Sequence, residues 1–271
     1  MGDTSFIAII EKLAQSVNLG EVILPPKSIS GGLLHKLYMV KTTKGKYAVK
    51  MLNPLIMQRP NVLRNIINSE KIANKLSETI PALPALQTDN DPVLCIDGQY
   101  FMVFKWVNGV SLLQNEINVE HCRIIGRMLA SIHITDLSEL NIKQDKFSKG
   151  KQINWDFYLS EGRRKGTPWV EAFERNIDAL YEWNIKSIES DIVLHKDMVL
   201  SHRDMDSKNV LWNNGKPVLI DWEAAGYVNP TKELVEVLMY WSVTGNNKVN
   251  KEKFKALLSG YKEEKNIGSV D

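Results

Sequence analysis

Hydrophobic positions change their spacing along the chain, from a helical period to a strand-like one and back. Residues 5–17 and 61–78 repeat apolar side chains at helical intervals. Between these helices, residues 36–52 form two apolar runs around a Lys-Gly pair at 44–45, which predicts two strands joined by a turn. Residues 100–106 are almost entirely apolar and predict a buried strand. The beginning of the chain is therefore expected to be rich in strands.

From about residue 115 onward the helical period dominates. Helices are predicted at 119–133, 169–183, 231–242 and 251–261. A strand-rich first part and a helix-rich second part predict an α+β fold with two lobes. The turn signal at 108–109 marks the boundary, so the predicted domains are 1–108 and 109–271. Clefts between lobes are common ligand sites, and the ligand is expected there.

Composition narrows the class of protein. A net charge of +2 is too small to argue for nucleic acid or an anionic membrane as a partner. No apolar run approaches the roughly 18 residues of a membrane span. The N-terminus carries Asp3 and predicts an amphipathic helix and not a signal peptide. Cys95 and Cys122 have apolar neighbours and are interpreted as buried free thiols. We therefore expect a cytoplasmic protein with no evident obligate protein partner.

The stretch LSHRDMDSKNVLWNNGKPVLIDWE combines apolar runs with an unusual set of polar side chains. Its Asn-Gly pair at 214–215 lies between two apolar, β-branched runs and predicts a hairpin. Centring the turn on that pair places Asn209 opposite Ile220, one residue before Asp221. Asp204 lies in the loop just before the hairpin. The polar set is thus expected at the open end and not at the turn, which weakens the alternative of an ordinary polar surface hairpin.

These oxygen-bearing side chains match the preference of Mg²⁺. Asn209 and Asp221 supply hard oxygen ligands, and Mg²⁺ needs only one or two from the protein when a substrate phosphate supplies others. A second polar pair points the same way. Lys50 ends an apolar strand, and Glu70 lies on the apolar stripe of the following helix, where an unpaired carboxylate is costly. A Lys50–Glu70 ion pair would resolve both problems, either as a purely structural bridge or as a phosphate-binding device.

The order of these motifs resembles a known family. A strand lysine, a helix glutamate, a His-x-Asp-x4-Asn loop (202–209) and an Asp-Trp-Glu stretch (221–223) follow one another as in the protein-kinase-like fold. The details are similar to its small-molecule branch, the aminoglycoside phosphotransferase and choline kinase family. The resemblance covers residues 28–241 and implies a strand-rich N-terminal lobe, a helical C-terminal lobe and a nucleotide site in the cleft between them.

The resemblance assigns a role to each motif residue. Asp204 is expected to accept the proton of the acceptor hydroxyl. Asn209 and Asp221 are expected to hold Mg²⁺ between phosphates. Lys50, fixed by Glu70, is expected to contact the α- and β-phosphates of ATP or GTP.

The nucleotide-binding assignments also follow from the resemblance. Gly31 and Gly32 are expected to let backbone N–H groups approach phosphate oxygens. The backbone of Lys105 and Val107 is expected to meet the purine edge. His202 is interpreted as a brace for its loop and not as a reacting group.

Three departures from the family pattern change the picture. Asp206 stands two residues after Asp204, where kinases of protein substrates have lysine, which argues against a protein acceptor. Arg203 replaces a glycine that many members have after the loop histidine. Glu233-Leu234 is the closest match to an Asp-containing motif, and no role is carried over to it.

The acceptor is the least constrained part of the prediction. Glu223 lies two residues after Asp221, and its carboxylate is predicted to contact an ammonium group of the substrate. Residues 155–200 carry nine acidic and six basic side chains, a slight acidic excess that suits a cationic acceptor but is also ordinary for solvated helices. An aminoglycoside is favoured. The alternatives are choline, ethanolamine or a sugar as acceptor, or a nucleotide-binding module without catalysis.

Overall fold

The computed structural model describes residues 3–29, 34–147, 150–246 and 248–265. The helices in these residues are α1 (Asp3–Ser16), α2 (Pro54–Met57), α3 (Val62–Leu76), α4 (Val119–Ile134), α5 (Trp155–Lys165), α6 (Val170–Leu194), α7 (Pro230–Ser242) and α8 (Lys251–Glu264). The strands are β1 (Lys27–Ile29), β2 (Lys36–Thr42), β3 (Gly45–Met51), β4 (Leu94–Ile96), β5 (Gln99–Lys105), β6 (Val110–Ser111), β7 (Val199–Ser201), β8 (Val210–Asn213), β9 (Lys216–Leu219) and β10 (Gly226–Val228).

Five strands of the N-terminal part form one antiparallel sheet, in the order β1-β2-β3-β5-β4. Side chains alternate between its two faces, because successive residues of a strand point in opposite directions. Val103 of β5 is buried in a cluster with Leu13 of α1, whereas the adjacent Met102 is buried in a second cluster with Ile66 of α3. The sheet is therefore packed between two helices that the periodicity predicted.

Helices dominate the C-terminal part, and two of them approach each other unusually closely. A Cβ atom at Gly126 of α4 would clash with the Leu257 carbonyl oxygen of α8, and one at Gly260 would clash with the Arg123 carbonyl oxygen. Glycine at both positions allows the two backbones to touch. The antiparallel sheet followed by helices confirms the predicted α+β class.

The chain divides into two compact units. One comprises Met1–Ile142, Leu200–Gly226 and Glu233–Asp271, and the other comprises Lys143–Val199 and Tyr227–Lys232. Every predicted site residue that the structure describes belongs to the first unit. The division into lobes at residues 108 and 109 stays a prediction.

No helix of the described residues is both long and apolar enough to cross a membrane.

The structure describes both cysteines. Both are free thiols, and Cys122 is buried, but the expectation that Cys95 is buried is wrong. Cys95 is the middle residue of β4, an edge strand, and its side chain lies on the exposed face.

Candidate active site

The predicted hairpin forms and carries Asn209 and Asp221 at its open end. β8 and β9 pair in the predicted register, and the backbone N–H of Ile220 donates to the Asn209 carbonyl at 2.9 Å. Leu219 makes two further backbone hydrogen bonds, of 2.8 and 2.9 Å, with the segment 81–83 that follows α3. The open end of the hairpin is thereby fixed against the N-terminal part of the chain.

Asp204 and Asn209 are joined by two direct hydrogen bonds. The Nδ2 group of Asn209 donates to the Asp204 backbone carbonyl at 2.7 Å and to Asp204 Oδ2 at 2.9 Å. Asn209 is buried, while about a third of the Asp204 side chain is exposed. Because the amide nitrogen is engaged with Asp204, the amide oxygen is the atom of Asn209 that remains for a metal ion. Asp204 keeps a carboxylate that a substrate hydroxyl can reach.

His202 connects the loop to the hairpin. Its Nδ1 accepts a hydrogen bond from the Asp204 N–H at 3.2 Å, and its Nε2 donates to the Ile220 carbonyl at 3.0 Å. This pair of partners assigns the ring proton to Nε2. The ring is fully buried, and burial lowers the pKa of His202 below its usual value. A neutral histidine bonded on both sides braces its loop, as the sequence predicted.

Lys50 binds the two acidic residues of the Asp-Trp-Glu stretch. Its Nζ lies 2.6 Å from Asp221 Oδ1 and 2.9 Å from Glu223 Oε2. Asp221 adopts a left-handed backbone with φ of 61° and ψ of 63°, a conformation that aspartate tolerates better than most residues. Burial acts to lower the pKa of Lys50, but the two carboxylates outweigh it and leave that pKa raised. Lys50 is therefore a firmly held cation.

The expected Lys50–Glu70 ion pair is not formed, which corrects the prediction. Glu70 is buried at 2% exposure, as its place on the apolar stripe predicted. Its Oε2 instead accepts a hydrogen bond of 2.7 Å from the Ala85 N–H. Burial raises the pKa of Glu70 to about 7, although the Ala85 N–H and the nearby Lys50 act to lower it. The Lys50 ammonium is paired instead with the carboxylates of Asp221 and Glu223.

Glu70 predicts a pH dependence of stability. Its folded-state pKa lies above the usual value of 4.5, so the protonated carboxyl favours folding. This contribution is complete below about pH 4.5 and is lost as the pH rises through about 7. The side chain of Glu70→Gln is neutral at every pH. Between pH 5 and pH 8, the free energy of unfolding of the wild type should therefore fall by up to about 3 kcal/mol relative to that of the variant.

Urea denaturation at both pH values measures this difference. Glu21→Gln, at an exposed glutamate, is the matched control and should follow the wild type. An equal pH dependence in wild type and Glu70→Gln would contradict the buried-carboxyl account.

His35 joins this site although sequence reasoning missed it. It lies at the end of the loop that precedes β2, and its side chain is almost fully buried. Nδ1 accepts a hydrogen bond from the Asn53 N–H at 3.0 Å, and Nε2 lies 3.7 Å from Glu223 Oε2. Burial lowers the pKa of His35. A single histidine outside any motif gives no signal in the sequence.

Lys208 was also missed. Its Nζ lies 3.6 Å from Asp204 Oδ2 and 3.6 Å from Asp206 Oδ2. Desolvation acts to lower the pKa of Lys208, but the two aspartates outweigh it and raise that pKa. A lysine at the fourth position after Asp204 thus lies beside its carboxylate, although none stands at the second.

The remaining nucleotide-binding predictions concern two glycines and the end of β5. Gly31 and Gly32 lie outside the described residues. Lys105 ends β5, where it pairs with Tyr47 of β3, and Val107 lies two residues further on. Their proposed contact with a purine stays a prediction.

The donor set is suited to a hard cation. In the described residues, no group of three or more His, Cys, Asp or Glu side chains could hold a metal. Mg²⁺ does not need such a group, because substrate phosphates and waters complete its coordination. The Asn209 amide oxygen and the Asp221 carboxylate fit this requirement, and the Lys50 ammonium on Asp221 indicates that the carboxylate already attracts a cation.

The sequence matches one known family of enzymes. A model of the phosphotransferase enzyme family matches residues 26–266. No curated protein matches the sequence.

Three solved structures are similar in fold. A spectinomycin phosphotransferase in complex with ADP and spectinomycin shares 14% identity at a TM-score of 0.64, over 96% of this chain and 80% of that one. An ethanolamine kinase from Plasmodium vivax shares 17% identity at 0.59, over 89% and 67%. A choline kinase from Cryptosporidium parvum Iowa II shares 13% identity at 0.58, over 95% and 79%. These likenesses establish the protein-kinase-like fold.

Proposed function

The chain belongs to the phosphotransferase enzyme family as an enzyme of the small-molecule kinase type, and from that premise we propose that it transfers the γ-phosphate of ATP or GTP to a hydroxyl of a small cationic molecule. One observation carries the proposal. Asp204 is hydrogen-bonded to Asn209, the backbone of Asn209 is hydrogen-bonded to Ile220, and the next residue, Asp221, is hydrogen-bonded to Lys50. A proton acceptor, two oxygen ligands and a cation for phosphate thus converge.

Each of these groups performs a separate part of the transfer. Asp204 accepts the proton of the acceptor hydroxyl and orients its oxygen towards phosphorus. Lys50 leaves the two carboxylates and binds phosphate oxygens of the nucleotide. The Asn209 amide oxygen and the Asp221 carboxylate would hold Mg²⁺, which would supply positive charge to the phosphates. His202 keeps Asp204 in place through the Asp204 N–H.

A cationic acceptor, with an aminoglycoside as the favoured class, is supported by Glu223. The Glu223 side chain is about one-third exposed, and it becomes available to an ammonium once Lys50 moves to the phosphates. The spectinomycin phosphotransferase supports an antibiotic acceptor. The ethanolamine and choline kinases support the alternative of a smaller amino alcohol, and a sugar is a further one. A non-catalytic nucleotide-binding module is disfavoured because Lys50, Glu70 and Asp204 are all retained together with both metal ligands.

Glu223→Gln tests the charge of the acceptor. The change keeps the size of the side chain but removes a charge-assisted contact that contributes about 1.5–3 kcal/mol. We therefore expect kcat/KM for an amine acceptor to fall roughly tenfold to a hundredfold. Hydrolysis of nucleotide by water is the control within the same variant, because water carries no ammonium. Equal losses for amine and water would assign Glu223 to the phosphate side of the site.

A nucleotide-consumption assay across a panel of acceptors tests the function itself. The panel contains aminoglycosides, spectinomycin, choline, ethanolamine and neutral sugars, each with ATP and with GTP. We expect Mg²⁺-dependent consumption above the rate with water for at least one cationic alcohol. Stimulation by sugars alone would favour the sugar alternative, and nucleotide binding without consumption would favour the non-catalytic module.

A further inference from the structure

Two side chains approach the same oxygen atom of Glu223. Lys50 Nζ lies 2.9 Å from Glu223 Oε2, and His35 Nε2 lies 3.7 Å from that oxygen. Lys50 also binds Asp221, at 2.6 Å. The side chains of His35 and Lys50 are mostly buried, whereas that of Glu223 is about one-third exposed. Two buried donors thus face a carboxylate that a substrate can still reach.

The pairing of β2 with β3 explains why these two donors are neighbours. Lys50 lies opposite Leu37, and side chains directly opposite each other in a sheet share a face. His35 precedes Leu37 by two residues, and side chains two residues apart along a strand point the same way. The same alternation, extended one residue beyond the start of β2, places His35 on the Lys50 side of the sheet.

The ring of His35 is anchored at its other nitrogen. Nδ1 accepts a hydrogen bond of 3.0 Å from the Asn53 N–H. Asn53 is itself fixed, because its side chain accepts from the Leu55 N–H at the start of α2. An imidazole that accepts at Nδ1 is neutral and carries its proton on Nε2, and burial, which lowers the pKa of His35, agrees with a neutral ring. His35 therefore presents a neutral N–H to Glu223.

A neutral donor and a charged donor have different consequences for an ammonium substrate. The Lys50 ammonium cancels the charge that Glu223 would offer, so Glu223 can bind a cationic acceptor only after Lys50 has moved to the phosphates. That move also removes the bond that holds Glu223 Oε2. His35 Nε2, at 3.7 Å, is beyond hydrogen-bond distance while Lys50 is in place, and a shift of about 1 Å by the carboxylate would complete the bond.

We propose that His35 is a positioning residue for Glu223, whose carboxylate it holds through Nε2–H once Lys50 has moved to the phosphates. The proposal rests on the proposed function, because it assigns the consequence to the contact between Glu223 and an ammonium group. A neutral donor fixes the carboxylate and leaves its charge to the substrate. Loss of this donor should therefore lower kcat/KM for an amine acceptor more than it lowers the rate with water.

Two substitutions of His35 separate its donor from its anchor. His35→Asn keeps an oxygen near the position of Nδ1 for the Asn53 N–H but is too short to reach Glu223, whereas His35→Gln places an amide N–H near the position of Nε2. We expect kcat/KM for the amine acceptor to fall roughly five- to tenfold in His35→Asn, the scale of one hydrogen bond, and clearly less in His35→Gln. Equal losses in the two variants, or equal losses with amine and with water in His35→Asn, would overturn the proposal.

A double-mutant cycle with Glu223→Gln tests whether His35 acts through Glu223. In the Glu223→Gln background there is no carboxylate charge to position, so His35→Asn should change kcat/KM for the amine by less than about twofold. Every rate is divided by the folded fraction, measured by circular dichroism. The same loss from His35→Asn in both backgrounds would make its role merely structural and overturn the proposal.

NMR of isotope-labelled histidine in the wild type covers the case in which His35→Asn does not fold. The His35 signals are those absent from His35→Gln. We expect the ring proton on Nε2 in the free protein, and a downfield shift of that proton when a non-hydrolysable triphosphate nucleotide and Mg²⁺ bind, because Lys50 then leaves Glu223 Oε2 to His35. A ring proton on Nδ1, or an Nε2–H signal that the nucleotide does not change, would overturn the proposal.

Turnover of the wild type and of Glu223→Gln, with the best amine acceptor of the panel, separates this proposal from the proposed function. No turnover in the wild type rejects the proposed function, and turnover that Glu223→Gln does not alter rejects the cationic acceptor. Turnover that responds to Glu223→Gln but not to His35→Asn rejects the positioning role alone.

Discussion

Asp204→Asn is expected to lower kcat by roughly a hundredfold or more, the scale of losses in general-base catalysis and substrate positioning. Asparagine keeps the size of the side chain. It also keeps an oxygen that can accept the hydrogen bond from Asn209 Nδ2, which in the wild type reaches Asp204 Oδ2 at 2.9 Å. It does not accept a proton from the acceptor hydroxyl. Nucleotide affinity should stay close to wild type because Asp204 faces the acceptor. Steady-state turnover and calorimetric titration of nucleotide measure the two effects separately.

Asp206→Asn is the matched control for this prediction. Asp206 lies at the same 3.6 Å from Lys208 Nζ as Asp204 does, so both substitutions change the same charge beside the same lysine. The control should lose far less activity. Turnover of Asp204→Asn at the wild-type rate would remove Asp204 from the mechanism, and equal losses in both variants would assign the effect to the charge around Lys208.

Asp221→Ala should abolish the effect of Mg²⁺ on nucleotide affinity. In the wild type we expect Mg²⁺ to tighten nucleotide binding on the order of tenfold or more. In the variant Mg²⁺ should leave nucleotide affinity almost unchanged, because the coupling requires the metal ligand Asp221. The variant also frees Lys50 from one of its two carboxylates. Titration of nucleotide with and without Mg²⁺ measures the coupling. Equal tightening in both proteins would make the ligand assignment wrong.

The backbone of Asp221 requires a separate control. Alanine at the left-handed position of Asp221 costs on the order of 1 kcal/mol of stability by itself. Asp89→Ala imposes the same type of cost at an exposed residue with φ of 53°, away from the site. Circular dichroism should show a folded protein in both cases. Only Asp221→Ala should lose the Mg²⁺ effect.

The local pattern of the sequence was enough to predict the hairpin and most helices. The Asn-Gly pair at 214–215 determines the register of β8 and β9, because a two-residue turn leaves one way to pair the flanking runs. The approach of Asn209 to the Ile220–Asp221 end followed from that register alone. The α3 stripe likewise predicted that Glu70 is buried. The spacing of apolar residues and the turn signals depend only on residues that are close in the sequence, so a single sequence is enough to identify them.

Choices between distant partners could not be predicted in the same way. Lys50 is 171 residues from Asp221, and nothing local distinguishes Asp221 and Glu223 from Glu70 as its partner. Arg203 has a left-handed backbone with φ of 67°, and its N–H is hydrogen-bonded to Glu233, 30 residues away, a partner that the local sequence does not indicate. Helix α5 was missed because its apolar side chains are confined to its first five residues and none follows Leu159, so no helical period is visible. Tertiary contacts decide these features, and local propensity does not.

The identity of the product tests the central claim most directly. Wild-type protein is incubated with Mg²⁺, nucleoside triphosphate and the best acceptor of the panel, and the products are analysed by mass spectrometry and phosphorus NMR. We predict one nucleoside diphosphate for each acceptor molecule that has gained a phosphoryl group as an ester on a hydroxyl, and almost none with Asp204→Asn. Nucleoside diphosphate formed with free phosphate alone, and an acceptor of unchanged mass, would contradict phosphoryl transfer to a small molecule.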